Sequence, residues 1–165
     1  NNEDYAKKIK LLRVHGQNKR CHHQYIGIGG RLDTIQAAIL LAKLPHFSKE
    51  LKDRQKVADQ YTSGLSNILQ TPVIKPNRSS AWAQYTLRVK NRDNLQLKLK
   101  ENSIPTSIFY PIPLHLQQCF QYLKYKQNDF PISEKASNEV ISIPMNPFLS
   151  DDQIDYIVLK IQENL

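Results

Sequence analysis

Two stretches of the sequence combine residue types and spacings that suit chemistry. Tyr25-Ile26-Gly27-Ile28-Gly29-Gly30 holds three of the protein's five glycines and leads through Arg31 into an apolar-periodic run. Glycine permits positive φ and close backbone approach. A glycine loop feeding a helix N-terminus also gathers free N–H groups and the helix dipole at one point, which suits an anion. The planar fork of Arg31 adds a donor matched to phosphate or carboxylate. The spacing is neither a Walker loop nor a dinucleotide fingerprint. A tight turn before a helix, with Arg31 paired to Asp33 or solvated, accounts for the same residues. The second stretch, Phe109-Tyr110-Pro111-Ile112-Pro113-Leu114-His115, sits at the exit of an expected strand, where α/β proteins place ligands. Taken alone, His115 reads as a surface or core residue rather than a catalyst, and Tyr110 as packing. Trp82, Gln84 and Tyr85 read as aromatic core by default. Cys21-His22-His23 could be a metal cluster or a Cys–His nucleophile, but adjacent residues point in different directions, and neither Cys21 nor Cys119 belongs to a CxxC or Cys/His ligand pattern. No metal site is expected.

The elements that must position these residues follow from periodicity. Residues 3–13 read as the end of a helix and a short extended piece closed by His15-Gly16. Ile35, Ala38, Ile39 and Ala42 recur at helical spacing, and Pro45 is expected to interrupt or kink that helix. A second helix carries Leu51, Ala58, Tyr61, Leu65 and Ile68 on one face, with Lys52, Asp53, Lys56 and Asp59 towards water. Thr71 to Ser80, with Pro72 and Pro76, reads as a loop or domain boundary. Beyond it, Ala83 to Val89 alternates as a strand, with Ala83, Tyr85, Leu87 and Val89 on one side. Asp93 is placed to cap a helix through Leu95 and Leu99, and Thr106 to Tyr110 reads as a second strand. A helix at about Ser133 to Glu139 precedes a strand at Val140–Ile143. Ser150 and Gln153 form a capping box for a last helix whose apolar face is Ile154, Ile157, Val158, Ile161 and Leu165. The expected class is α/β, with residues 71–165 as a small C-terminal α/β domain. Residues 1–70 lack the strands to complete a sheet and read as part of a larger domain.

Composition narrows the function classes. The chain has 165 residues, 40% hydrophobic and 23% charged, which excludes a disordered or fibrous protein. The apolar run Ala37 to Ala42 is too short to span a bilayer. No secretory leader is evident, and two unpatterned cysteines fit a reducing cytoplasm. The net charge of +8 is mostly dispersed lysine, while the C-terminal stretch carries Asp151, Asp152, Asp155 and Glu163. A nucleic-acid module would concentrate its charge on one face. A solvated surface explains the charge better, and it also suits an enzyme of anionic ligands. The start at Asn1 suggests a fragment.

In series, LLRVHG (11–16), IGIGGRLDTIQAAIL (26–40), WAQYTLRV (82–89), YPIPLH (110–115), FPISEKA (130–136) and ISIPMNPFLS (141–150) resemble the sugar aminotransferases of the DegT/DnrJ/EryC1/StrS family. The order is the family's, and the match covers essentially the whole chain. The similarity is strongest to the branch that aminates 3-oxo UDP-N-acetylglucosaminuronate. The resemblance implies the C-terminal portion of a fold type I pyridoxal 5′-phosphate (PLP) enzyme, with residues 1–70 the remnant of the large cofactor domain and interdomain helices. It implies a homodimer with shared active sites, or a partner supplying the missing N-terminal half. Glutamate would be the amine donor and a keto sugar nucleotide such as a UDP-sugar the acceptor. The Schiff-base lysine lies upstream of the matched region, so no catalytic residue is nominated here, and the chain alone is expected to be inactive.

In the family's G-x-N-x-R-L-D motif the Asn reaches the cofactor phosphate. Gly29 stands at that position, so only a backbone contact remains for cofactor binding. Arg31, Tyr110 and His115 match family positions and are implied to bind substrate, Arg31 through the carboxylate of a uronate sugar. Phe109 replaces a common His. A non-catalytic remnant or a dimerisation or binding module is the alternative.

Overall fold

A computed structural model describes all 165 residues. The chain forms two compact units, residues 1–47 and 48–165. The division falls before residue 70 because the second half of one long helix packs into the later unit.

The first unit opens with α1 (Glu3–Leu12). Asn2 caps it, its Oδ1 accepting the N–H groups of Asp4 and Tyr5, with Glu3 and Asp4 in the first turn and Lys10 in the last. A short antiparallel hairpin follows, β1 (Gln17–Lys19) and β2 (His22–His23), turned at Cys21. The chain then returns alongside its own start. The His15 N–H donates to the Ile28 carbonyl at 3.0 Å and the Gly30 N–H to the Arg13 carbonyl at 2.8 Å. Two glycines allow this crossing. Gly16 has φ +70°, and a Cβ there would overlap the Tyr25 carbonyl; a Cβ on Gly27 would overlap the Leu12 carbonyl. The expected extended piece after α1 is a single bridge, Val14 opposite Gly29.

None of the buried hydrophobic side chains comes from residues 1–47. Ile26 is 100% exposed, and Ile35, Leu41 and Leu44 are exposed as well. This unit is therefore organised by backbone hydrogen bonds and glycine contacts rather than by a core.

Helix α2 (Thr34–Leu65) runs unbroken through Pro45. The expected interruption is absent. Proline forfeits one N–H bond and crowds one carbonyl in the preceding turn, and the helix-favouring residues on either side carry the ladder past that single gap. Val57, Ala58, Tyr61 and Leu65 are buried along one face. Ile68, expected on the same face, is exposed because the helix has already ended.

The second unit is built on β3 (Tyr85–Arg88) paired antiparallel with β4 (Val140–Ile143), Tyr85 opposite Ile143 and Arg88 opposite Val140. Tyr85, Leu87 and Val89 point inward as the alternation requires. Ala83 precedes the strand and is exposed. Around this pair lie α3 (Arg92–Glu101), α4 (Pro131–Glu139) and α5 (Asp151–Glu163). The cap position of α3 is Asn91, not Asp93. Asp93 lies one step inside the helix, where its carboxylate pairs with the buried Arg92. The capping box of α5 forms as read, with Ser150 and Gln153 exchanging side-chain-to-backbone bonds. Ile154, Ile157 and Ile161 enter the core, while Leu165 is exposed.

Residues 106–110 do not form a strand. Only Ser107 meets the sheet, exchanging two bonds with Ser142 at 3.0 and 2.7 Å. Pro105, Pro111 and Pro113 bracket this stretch and cannot donate to a ladder, so pairing stops after one residue. Two 3₁₀ turns, Leu114–Leu116 and Gln118–Leu123, then carry the chain to α4. No helix is long and apolar enough to cross a membrane.

Candidate functional site

The sequence candidates fall into two places, one in each unit. In the first unit, the Val14–Gly29 bridge is flanked by the His15–Ile28 and Gly30–Arg13 bonds, which leaves the Gly29 N–H without an acceptor. A Cβ at Gly29 would meet only the ring of His15, at 3.3 Å. Arg31 is exposed and forms no ion pair; the alternative pairing with Asp33 is absent. Helix α2 starts just beyond, with the Asp33 carbonyl accepting from the Ala37 N–H. The loop thus offers an unpaired backbone donor and, two residues on, an uncommitted guanidinium, each able to meet an anion.

Close by, Cys21 is a free exposed thiol, and His23 places Nδ1 2.9 Å from the His15 carbonyl. The three adjacent residues Cys21, His22 and His23 do not converge.

In the second unit, Phe109, Tyr110 and residues 112–114 face Ser133, Ala136 and Ser137 of α4 across a cavity of about 340 Å³. Tyr110 is 72% exposed at this cavity, its ring edge-on to Phe109. His115 has a different setting. Its side chain is only 8% exposed, with Nε2 3.0 Å from Glu134 Oε1, and its ring packs on Phe130 at 4.8 Å. The carboxylate accepts, so the imidazole donates through Nε2–H. Trp82 and Tyr85 are core, as read. Trp82 stacks near Tyr85 and donates Nε1–H to Gln55, while Gln84 is exposed.

Glu134 is the residue that sequence reasoning missed. Its carboxylate accepts the Asn128 N–H at 2.8 Å, the Phe130 N–H at 3.3 Å and His115 Nε2. These donors, led by the Asn128 N–H, hold its carboxyl below the usual glutamate range. Its sequence signals are its place four residues after Phe130 and inside the FPISEKA segment, which are visible but say nothing of its role.

The lowered value fixes the sign of an acid dependence. A carboxyl with a depressed folded-state pKa stabilises the fold above its unfolded value, and that contribution is lost as pH falls through the folded one. Glu134→Gln should therefore lower stability at neutral pH and flatten its acid decline. Urea midpoints measured between pH 7 and about pH 3 check this; parallel acid declines for the two proteins would refute it.

Over residues 1–162 the sequence matches the DegT/DnrJ/EryC1/StrS aminotransferase family. It is 42% identical over 158 residues to the UDP-2-acetamido-2-deoxy-3-oxo-D-glucuronate aminotransferase of Pseudomonas aeruginosa, covering 95% of this chain and 43% of that protein. It is 41% identical over 167 residues to the pleiotropic regulatory protein of Geobacillus stearothermophilus, covering 99% and 45%. The crystal structure of a DegT DnrJ EryC1 StrS aminotransferase from Brucella abortus matches with a TM-score of 0.87 at 34% identity, over 99% of this chain and 44% of that one. The chain spans less than half the length of the curated relatives it matches.

Proposed function

Because this chain belongs to the DegT/DnrJ/EryC1/StrS aminotransferase family, we propose that it is the C-terminal segment of a sugar-nucleotide aminotransferase that moves an amine from glutamate to a keto-sugar nucleotide, with a UDP-linked 3-oxo uronate as the acceptor. The observation that carries this reading is the uncommitted Arg31 at the head of the RLDTIQAAI segment, two residues after the free Gly29 N–H. A guanidinium without a partner is ready to take a carboxylate in a bidentate pair. The similarity to an enzyme named for a 3-oxo-glucuronate acceptor supports the same acceptor class.

Enzymes of this family use PLP in general. The residues here fit the margin of such a cofactor rather than its whole site. The Gly29 N–H suits a phosphate oxygen, and there is no side chain at that position to add a second donor. When bound, the cofactor supplies an electron sink for the amine transfer. This chain's share would be to bind and orient: Gly29 at the phosphate, Arg31 on the sugar carboxylate, and Tyr110 at the rim of the 109–114 cavity towards the substrate. The first 70 residues would belong to the cofactor-domain side and its connecting helices, and the site would be completed by an N-terminal portion such as the longer relatives have, or by a second subunit.

Two measurements test this. A protein containing this chain, given PLP, glutamate and a UDP-3-oxo-uronate, should form 2-oxoglutarate; its absence would count against the reading. This chain alone, treated with PLP and borohydride, should retain no PLP on any single lysine. A stoichiometric adduct on one lysine would show that the chain carries its own attachment point.

A second reading is a non-catalytic binding or dimerisation module. It is favoured by Gly29 and Phe109 standing where the family commonly has Asn and His. Wild-type protein without amino transfer but with specific self-association would support it.

A further inference from the structure

We propose that Glu134 and His115 are positioning residues, a latch that fixes where the Tyr110-bearing segment sits. Little else holds that segment. No hydrogen bond ties residues 108–114 to the sheet or to α4; the few they make are local, such as Leu116 N–H to Pro113 and Gln117 Nε2 to Ile112. One side of the segment faces the 340 Å³ cavity already described. A second cavity of about 230 Å³ borders Pro111, Ile112, Pro113 and Glu134 itself. With cavities lining it twice, the segment has little packing to set its position. It is fixed at its two ends. Before it, Ser107 exchanges two backbone bonds with Ser142 of β4. After it, His115 bonds Glu134 of α4.

The second anchor is more than a single contact. The Glu134 carboxylate also takes the Asn128 and Phe130 N–H groups, and Phe130 packs on the His115 ring and edge-on to Tyr125 at 5.0 Å. One carboxylate thus gathers both ends of the 115–130 excursion onto α4. His115 is 8% and Glu134 13% exposed, so neither presents much surface to a ligand. Their chemistry is directed at each other. This assignment moves His115 from substrate contact to support. It rests on the proposed function only in taking Tyr110 as the group that meets substrate.

The test uses amide hydrogen exchange on this chain, with neither cofactor nor sugar present. His115→Phe keeps an aromatic ring for Phe130 but removes the donor, and His115→Gln restores a donor at about the Nε2 position. His115→Phe should speed exchange by about tenfold or more at residues 116, 117, 128 and 130, well beyond any change in β3, β4 and α5, which can shift only by the loss of global stability. His115→Gln should recover most of the protection. Unchanged exchange at 128 and 130, or equal acceleration in His115→Gln and His115→Phe, would overturn the latch. Acceleration in β3 and β4 equal to that at 128 and 130 would also overturn it, because the pair would then be ordinary fold stabilisation. Glu134→Ala is the second route to the same comparison.

In a protein with amino-transfer activity, His115→Phe should raise KM for the keto sugar more than it lowers kcat, and His115→Gln should reverse that. Absence of activity in the wild type counts against the transaminase reading alone, since exchange decides the latch without it.

Discussion

Arg31→Ala is expected to raise KM for a UDP-3-oxo-uronate by about 10- to 100-fold while changing KM for the matching acceptor without a carboxylate by less than about threefold. The magnitude follows from the interaction being removed. A charge-assisted hydrogen bond contributes about 1.5–3 kcal/mol, and a bidentate pair lies at the upper end. Arg31 has no internal acceptor to release, because it is exposed and forms no ion pair. The substitution should therefore leave the protein's stability within about 0.5 kcal/mol, which separates a binding effect from a folding one. Arg31→Lys should recover only part of the loss, since an ammonium keeps the charge but not the planar fork. KM measured for both acceptors in a protein containing this chain decides the matter. Equal losses for the two would remove the carboxylate from the account and leave Arg31 as a general anion contact.

How much of this was legible in the sequence depends on how local the signals are. The capping box Ser150–Gln153 and the strand Val140–Ile143 formed where they were read, because each is specified within a few consecutive residues. The inward set Tyr85, Leu87 and Val89 was legible from alternation alone. The readings that failed depended on balances between neighbours. Pro45 was read as interrupting or kinking its helix, and the interruption does not occur because the long run of helix-compatible residues on both sides carries the helix through. Thr106 to Tyr110 has strand-like residues, but flanking prolines limit it to one bridge, and no local pattern says how far a partner strand will reach.

The candidate site divides along the same line. Gly27 and Gly29 could be read as permitting close backbone approach, but the partner backbone, residues 12–16, lies outside any sequence window. Glu134 lies inside the FPISEKA match, but its role was not legible, because its three donors come from residues 115, 128 and 130 and converge only in space. The first unit adds a further point. Its side chains are spaced at helical period as core residues would be, yet Ile35, Ala38, Ile39 and Ala42 are all exposed. Periodicity shows that a helix has an apolar face and does not show what covers it.

Tyr85→Ala should be the most damaging single substitution in the second unit, costing about 3–5 kcal/mol. Tyr85 is 0% exposed and lies between two other aromatic rings, with Trp82 at 5.6 Å and Tyr61 at 5.2 Å. Its removal would empty the place where α2 meets β3. Its hydroxyl has a defined role as well. Thr62 gives its single proton to the Ala58 carbonyl at 2.8 Å, so Thr62 Oγ1 accepts from the Tyr85 hydroxyl at 2.7 Å. Burial pushes both tyrosine phenols above their usual range, which keeps them neutral donors, and Tyr61 uses its proton on the Pro144 carbonyl at 2.9 Å.

Tyr85→Phe should therefore cost only about 1 kcal/mol, the net value of one hydrogen bond with the ring retained. Domains of this kind are stable by about 5–15 kcal/mol, so Tyr85→Ala removes a large share while Tyr85→Phe does not. Urea unfolding followed by tryptophan fluorescence reads both, because the single tryptophan, Trp82, stacks on the mutated residue. Ile68→Ala, at an exposed position past the end of α2, should stay within about 0.5 kcal/mol of wild type. A Tyr85→Ala cost as small as that of Tyr85→Phe would mean that the α2–β3 contact collapses around the gap, and that the aromatic row is not what joins the helix to the sheet.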